Sequence, residues 1–283
     1  MSDNTAGQEG DWVRRGLRAR KALQETWEAL AGVCGDLSEA EWALPTECPG
    51  WDVKDQLSHL IGIERAIMGE PVPEWREPFG DHVKNDFAAT NEPFVAVRRA
   101  TPGPSVRAEF VEVTATRIAQ LDALTASGWA AIGFSPMGEV PYAEFMRVRV
   151  FDSWVHEQDV RRALGRAGGG GNAASEISLD HVQRAMPFVV GKKSGCADGT
   201  AVRFVVAGTG SDARVFTIGV EGGRARPVGD DVAPTVTLSL SSIDFMRLGC
   251  GRTKSSQLAG DAVTVDGDAV VGGSVLGAMN SMF

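Results

Sequence analysis

One tyrosine, four histidines and four cysteines are all that 283 residues contain of these types. The cysteines, Cys34, Cys48, Cys196 and Cys250, lie far apart and form no C-x-x-C pattern. They are too few to staple a chain of this length, so a disulfide scaffold is excluded and a reducing cytoplasm is expected. They read instead as small apolar core residues. No stretch approaches the roughly 20 apolar residues of a membrane span, and the first residues lack the basic and apolar regions of a secretory signal. A soluble protein with no membrane partner is the expectation. Basic residues are outnumbered 28 to 37, a net charge of −9, which argues against a nucleic-acid binder that works by neutralising phosphate. With 43% hydrophobic and 23% charged residues the chain is not intrinsically disordered. Its chemistry must sit in a folded site, and only His59, His82, His156 and His181 can bring imidazoles to it.

The length allows about two domains. Residues 1–165 read as helices and suggest a four-helix bundle. From about Trp12 to Cys34, the apolar residues Val13, Leu17, Leu23, Trp27, Leu30 and Val33 recur at three- and four-residue steps, the mark of one buried face. After the turn Cys48-Pro49-Gly50-Trp51, Asp52 with Asp55 resembles an acidic N-cap pair opening a second helix, about Val53 to Met68. Glu70 to Pro78 is a Pro-rich loop, a third helix runs from near Pro93 or Val106 to Leu124, and a fourth from Tyr142 to Leu164. The glycine-dense run 166–175 has the composition of a flexible linker. Beyond it, in 176–283, the period changes: residues 200–206, 213–218 and 235–240 are β-branched and near-alternating, and Ser242 to Leu248 and Val270 to Met279 look helical, giving a small α+β domain.

The fourth helix carries the chemistry. Arg149, Asp152, His156 and Asp159 fall within about 80° of arc at 100° per residue. Met146, Val148, Val150, Phe151, Trp154, Val155, Val160 and Leu164 occupy most other directions, so the polar stripe is expected to be buried. Burying such groups costs several kcal/mol per charge unless they are paired or bind something. Asp152 and His156, at i and i+4, can offer two metal ligands at one point beside the helix. His59, on the flank of the stripe made by Val53, Leu57, Leu60 and Ile61, can supply a third from the second helix. Two imidazoles and a carboxylate leave positions open on a divalent ion, as catalysis requires. Asp159, one turn beyond His156, is suited to orient its ring. The bland alternatives are an ordinary ion pair of Arg149 with Asp152, and a dipole-complementing role for Asp55. His82, in a loop, and His181, after the linker, have no acidic partner at helical spacing and read as surface residues.

Two stretches are familiar. Cys48-Pro-Gly-Trp-Asp-Val-Lys-Asp-Gln-Leu-Ser-His59-Leu resembles the first motif of the mycothiol-dependent maleylpyruvate isomerase family, and Arg149-Val-Phe-Asp152-Ser-Trp-Val-His156-Glu-Gln-Asp159 resembles its second. The resemblance spans essentially the whole chain. Residues 242–252 and 265–268 resemble the family's C-terminal domain, and the fold it implies is a DinB-like four-helix metal-binding bundle followed by a sterol carrier protein 2-like α+β domain. It further implies a zinc ion on His59, Asp152 and His156, with mycothiol as the reacting thiol and a small electrophile as substrate. The family's isomerase pattern has Glu at position 152, where this chain has the shorter Asp. In an isomerase the thiolate adds to a cis double bond, allows rotation and leaves; in the mycothiol S-transferases of the same superfamily it stays. A metal would lower the thiol's pKa, so no cysteine of the chain is needed as nucleophile. Arg149 is suited to hold a substrate carboxylate or a developing enolate, and Arg252 in the second domain is a weaker candidate for that role. A rival reading is a non-catalytic carrier with a vestigial metal site and an apolar pocket. No basic recognition helix supports a regulatory protein.

Overall fold

Asp52 starts the helix on which the site depends. Its side chain accepts the backbone N–H of Asp55 while the Asp55 carboxylate accepts the N–H of Asp52, a reciprocal capping box that opens α3 (Val53–Ile67). A computed structural model describes residues 2–208 and 210–282, and their side chains except those of 2–8 and 211. The chain divides into two compact units, Met1–Gly169 and Gly170–Phe283.

The first unit contains α1 (Ser2–Val33), α2 (Glu39–Trp42), α3, α4 (Asp86–Ala96), α5 (Gly103–Asp122), α6 (Ala126–Ala130), the hairpin β1 (Ile132–Ser135) and β2 (Gly138–Pro141), and α7 (Tyr142–Ala163). Four long helices close a ring: α1 packs on α5 and α7, and α3 packs on the same two. On α1 the buried face is Ala19, Ala22, Leu23, Trp27 and Leu30, whereas Leu17, expected there, is 51% exposed. Trp27 Nε1 donates to Ser153 Oγ at 3.0 Å, tying α1 to α7.

The single third helix expected from the sequence is two. Pro102, Gly103 and Pro104 break the chain between α4 and α5, and the second proline falls where a helix start tolerates it. α4 lies against α3, outside the ring. No helix among the described residues is long and apolar enough to cross a membrane.

The second unit begins earlier than the expected linker ends. Asn172 caps α8 (Ala173–Phe188) through the N–H of Ser175, so the last residues of 166–175 are already helix. The strands are β3 (Ala201–Ala207), β4 (Arg214–Glu221), β5 (Arg224–Val228), β6 (Val236–Ser241) and β7 (Val263–Gly267), ordered β5-β4-β3-β6-β7, with β3 and β6 the one parallel pair. α9 (Ser242–Gly249) and α10 (Ala269–Ala278) complete an α+β unit. Its core centres on Phe204, stacked on Phe216 at 4.9 Å and edge-on to Phe245 of α9 at 6.1 Å.

Candidate metal centre

Packing α3 against α7 brings His59, Asp152 and His156 together. One donor atom from each lies within 4.8 Å of the other two. His59 Nε2 is 3.3 Å from Asp152 Oδ2 and 3.5 Å from Oδ1, and His156 Nε2 is 3.6 Å from Oδ1. Donors bound at about 2.0–2.2 Å to one tetrahedral zinc stand roughly 3.3–3.5 Å apart, so these spacings fit a shared ion. Two imidazoles and a carboxylate are a donor set that suits zinc.

The electrostatics agree with that use. Burial pushes the His59 pKa down to about 4, against the pull of Asp152, so its ring is neutral at neutral pH. Burial would raise the Asp152 carboxyl, but the Arg149 charge and then His59 and His156 hold it well below the usual range. Both histidine side chains are 6% exposed and Asp152 is 26% exposed, so the trio reaches solvent through the carboxylate. Trp51 lies against both rings, 5.0 Å from His59 and 5.8 Å from His156 between centroids.

Gln56, a residue the sequence reading passes over, orients His156. Gln56 Nε2 donates to Thr46 Oγ1 at 2.8 Å, which leaves Oε1 to accept from His156 Nδ1 at 2.5 Å. The proton is thereby held on Nδ1 and the Nε2 lone pair faces Asp152. Asp159, expected in that role, is 3.6 Å from Nδ1, beyond hydrogen-bond reach, and binds Arg162 at 2.6 Å instead. The acceptor comes from the facing helix rather than from the next turn of the same one.

Arg149 is both the expected polar neighbour and an ion-pair partner. Its Nη1 donates to Asp152 Oδ2 at 2.7 Å and its Nε to Glu64 Oε1 at 2.8 Å. Glu64, 1% exposed on α3, also accepts from Arg117 Nε at 2.8 Å, and Arg117 Nη2 reaches Tyr142 Oη at 2.9 Å. Arg117, Glu64 and Arg149 thus form a buried chain of alternating charge that ends at the partly exposed Asp152. Arg149 Nη2 and His59 Nδ1 are buried with no hydrogen-bond partner among the described residues.

Arg252 and His82 each have partners of their own. Arg252 stands in the second unit, where its Nη1 donates to the Cys250 carbonyl at 3.3 Å. His82 is not a simple surface residue: its Nε2 lies 3.0 Å from Glu92 Oε2.

A helical unit with a two-histidine, one-carboxylate site, followed by an α+β unit, defines a class of two-domain proteins with a candidate metal centre between helices. The comparisons narrow that class. Residues 23–161 match the mycothiol maleylpyruvate isomerase N-terminal domain and residues 176–272 match the MDMPI C-terminal domain. The chain belongs to the mycothiol-dependent maleylpyruvate isomerase family. It is similar in fold to a crystal structure of the mycothiol-dependent maleylpyruvate isomerase, with a TM-score of 0.52, 16% identity, and coverage of 90% of this chain and 92% of that one. A histidine-to-alanine mutant of that enzyme gives a TM-score of 0.51 at the same identity and coverage. No curated protein matches the sequence significantly.

Proposed function

We propose that His59, Asp152 and His156 hold one divalent ion, zinc by their chemistry, and that the protein is an enzyme using mycothiol on a small electrophile with an activated double bond. The observation that carries this reading is the convergence of a neutral imidazole, an oriented imidazole and an anionic carboxylate from two helices onto one point. A divalent ion there would supply the positive charge that favours thiolate over thiol at neutral pH. The chain's own residues do the rest. Gln56 keeps His156 in the tautomer whose Nε2 is free to ligate. Arg149 engages one oxygen of Asp152 and leaves the other facing the histidines, while its unpartnered Nη2 offers a donor for a substrate carboxylate or a developing enolate.

The test is thiol-dependent turnover. Metal-loaded protein, mycothiol and a cis-configured conjugated dienoate are incubated and the product analysed. The trans isomer with mycothiol regenerated is the expected result; a stable thioether marks the transferase outcome at the same site. No thiol dependence with this or any other electrophile overturns the reading.

A further inference from the structure

Glu92, on α4, is 2% exposed, yet three donors from three stretches of chain converge on its carboxylate. Oε2 accepts from Trp51 Nε1 at 2.9 Å and from His82 Nε2 at 3.0 Å, and Oε1 accepts from Arg99 Nη2 at 2.7 Å. Burial alone would raise the Glu92 pKa, but the hydrogen bonds from Trp51 and His82 and the charge of Arg99 bring it below the ordinary value. The carboxylate is therefore ionised, with a donor on each oxygen. Trp51 belongs to the turn before α3, His82 to the loop that follows the Pro-rich stretch, and Arg99 to the connection after α4. His82 also packs against Gly50, whose φ of +80° and closeness to the imidazole leave no room for a side chain.

These contacts fix the indole of Trp51, which lies tilted by 40° and 34° against the rings of His59 and His156. An indole can turn about two side-chain torsions; a buried charged acceptor on Nε1 selects one setting. We propose that Glu92 is a positioning residue for the metal centre, holding Trp51 against both ligating imidazoles and pinning the segment around His82 over the same turn. The proposal rests on the reading that His59, Asp152 and His156 bind a divalent ion.

Cobalt(II) tests it in the 283-residue chain, through the visible absorption of the bound ion and its affinity measured by chelator competition. Trp51→Phe and Glu92→Ala should each alter the absorption envelope and weaken cobalt binding about tenfold, the scale seen when supporting partners of metal ligands are removed. Because Glu92 acts through Trp51, the double variant should bind cobalt no more weakly than Trp51→Phe alone. Glu92→Gln, which keeps an acceptor for Nε1, should restore most of the wild-type spectrum, and His82→Asn should give a smaller change of the same kind. Arg99 is 43% exposed and can be rehydrated when Glu92 is removed, and the Gln and Asn variants carry the test if the alanine variant does not fold. A wild-type spectrum and affinity in the Glu92 and His82 variants, or additive losses in the double variant, would overturn the proposal while leaving the metal site intact. Wild-type protein that takes up no cobalt overturns the metal reading itself, and this proposal with it.

Discussion

Nδ1 of His156 lies 2.5 Å from Oε1 of Gln56, a residue 100 positions earlier in the chain and on the facing helix. That contact decides which imidazole nitrogen is available to a metal. Gln56→Ala should lower divalent-metal affinity by about 10–100-fold with little change in secondary structure. Chelator competition measures it; unchanged affinity would mean that the ring is oriented by something else.

Glu64 separates two buried guanidinium groups, accepting from Arg117 and Arg149 at 2.8 Å each. Its loss leaves two positive charges buried without their shared partner. Glu64→Ala should therefore destabilise the protein by about 3–5 kcal/mol, in the range found when one partner of a buried ion pair is removed. Denaturant unfolding reads the effect, and a loss under about 1 kcal/mol would show that water enters and replaces the carboxylate.

Asp55 gives a pH dependence with a definite sign. Burial first, and the neighbouring Asp52 charge second, raise its pKa from an ordinary carboxylate value to about 6. Its folded-state pKa thus exceeds the unfolded one, so its contribution to stability is complete at about pH 4 and is lost as the pH rises through 6. Asp55→Asn keeps a polar group at this position but cannot titrate. The stability of the wild type relative to this variant should fall between about pH 4 and pH 6 and then level off. Parallel pH profiles for the two proteins would contradict the assignment.

Gly62 on α3 faces Phe94 of α4 so closely that a Cβ would overlap the aromatic ring. Gly62→Ala should cost about 1–3 kcal/mol by overpacking, although alanine is the better helix former by ~1 kcal/mol. Thermal unfolding distinguishes the two effects, since a stabilised variant would mean that α4 shifts freely on α3.

The helices that carry the site were legible because local signals coincide with tertiary demands. Asp52 and Asp55 mark the start of α3, and the stripe from Arg149 to His156 runs along α7 beside the buried apolar residues Met146, Val150, Phe151, Trp154 and Val155. The supporting residues were not legible, because each acts across a gap in sequence that spacing rules do not bridge. Gln56 meets His156, Glu64 meets Arg149, and Glu92 meets Trp51 only once the helices have packed. Glu64 did leave one trace, an acidic residue that with Arg65 interrupts the otherwise apolar run from Leu60 to Ile67. α4 was hidden by Pro93 within it, and the hairpin of β1 and β2 by strands of four residues each.

His59, Asp152 and His156 are proposed to share one ion. The most direct measurement is elemental analysis of purified wild type, His59→Ala, Asp152→Ala and His156→Ala after loading with zinc and removal of the excess. One equivalent of zinc in the wild type and its loss from each variant is the result predicted. Full zinc content in the His59→Ala and His156→Ala proteins would contradict it.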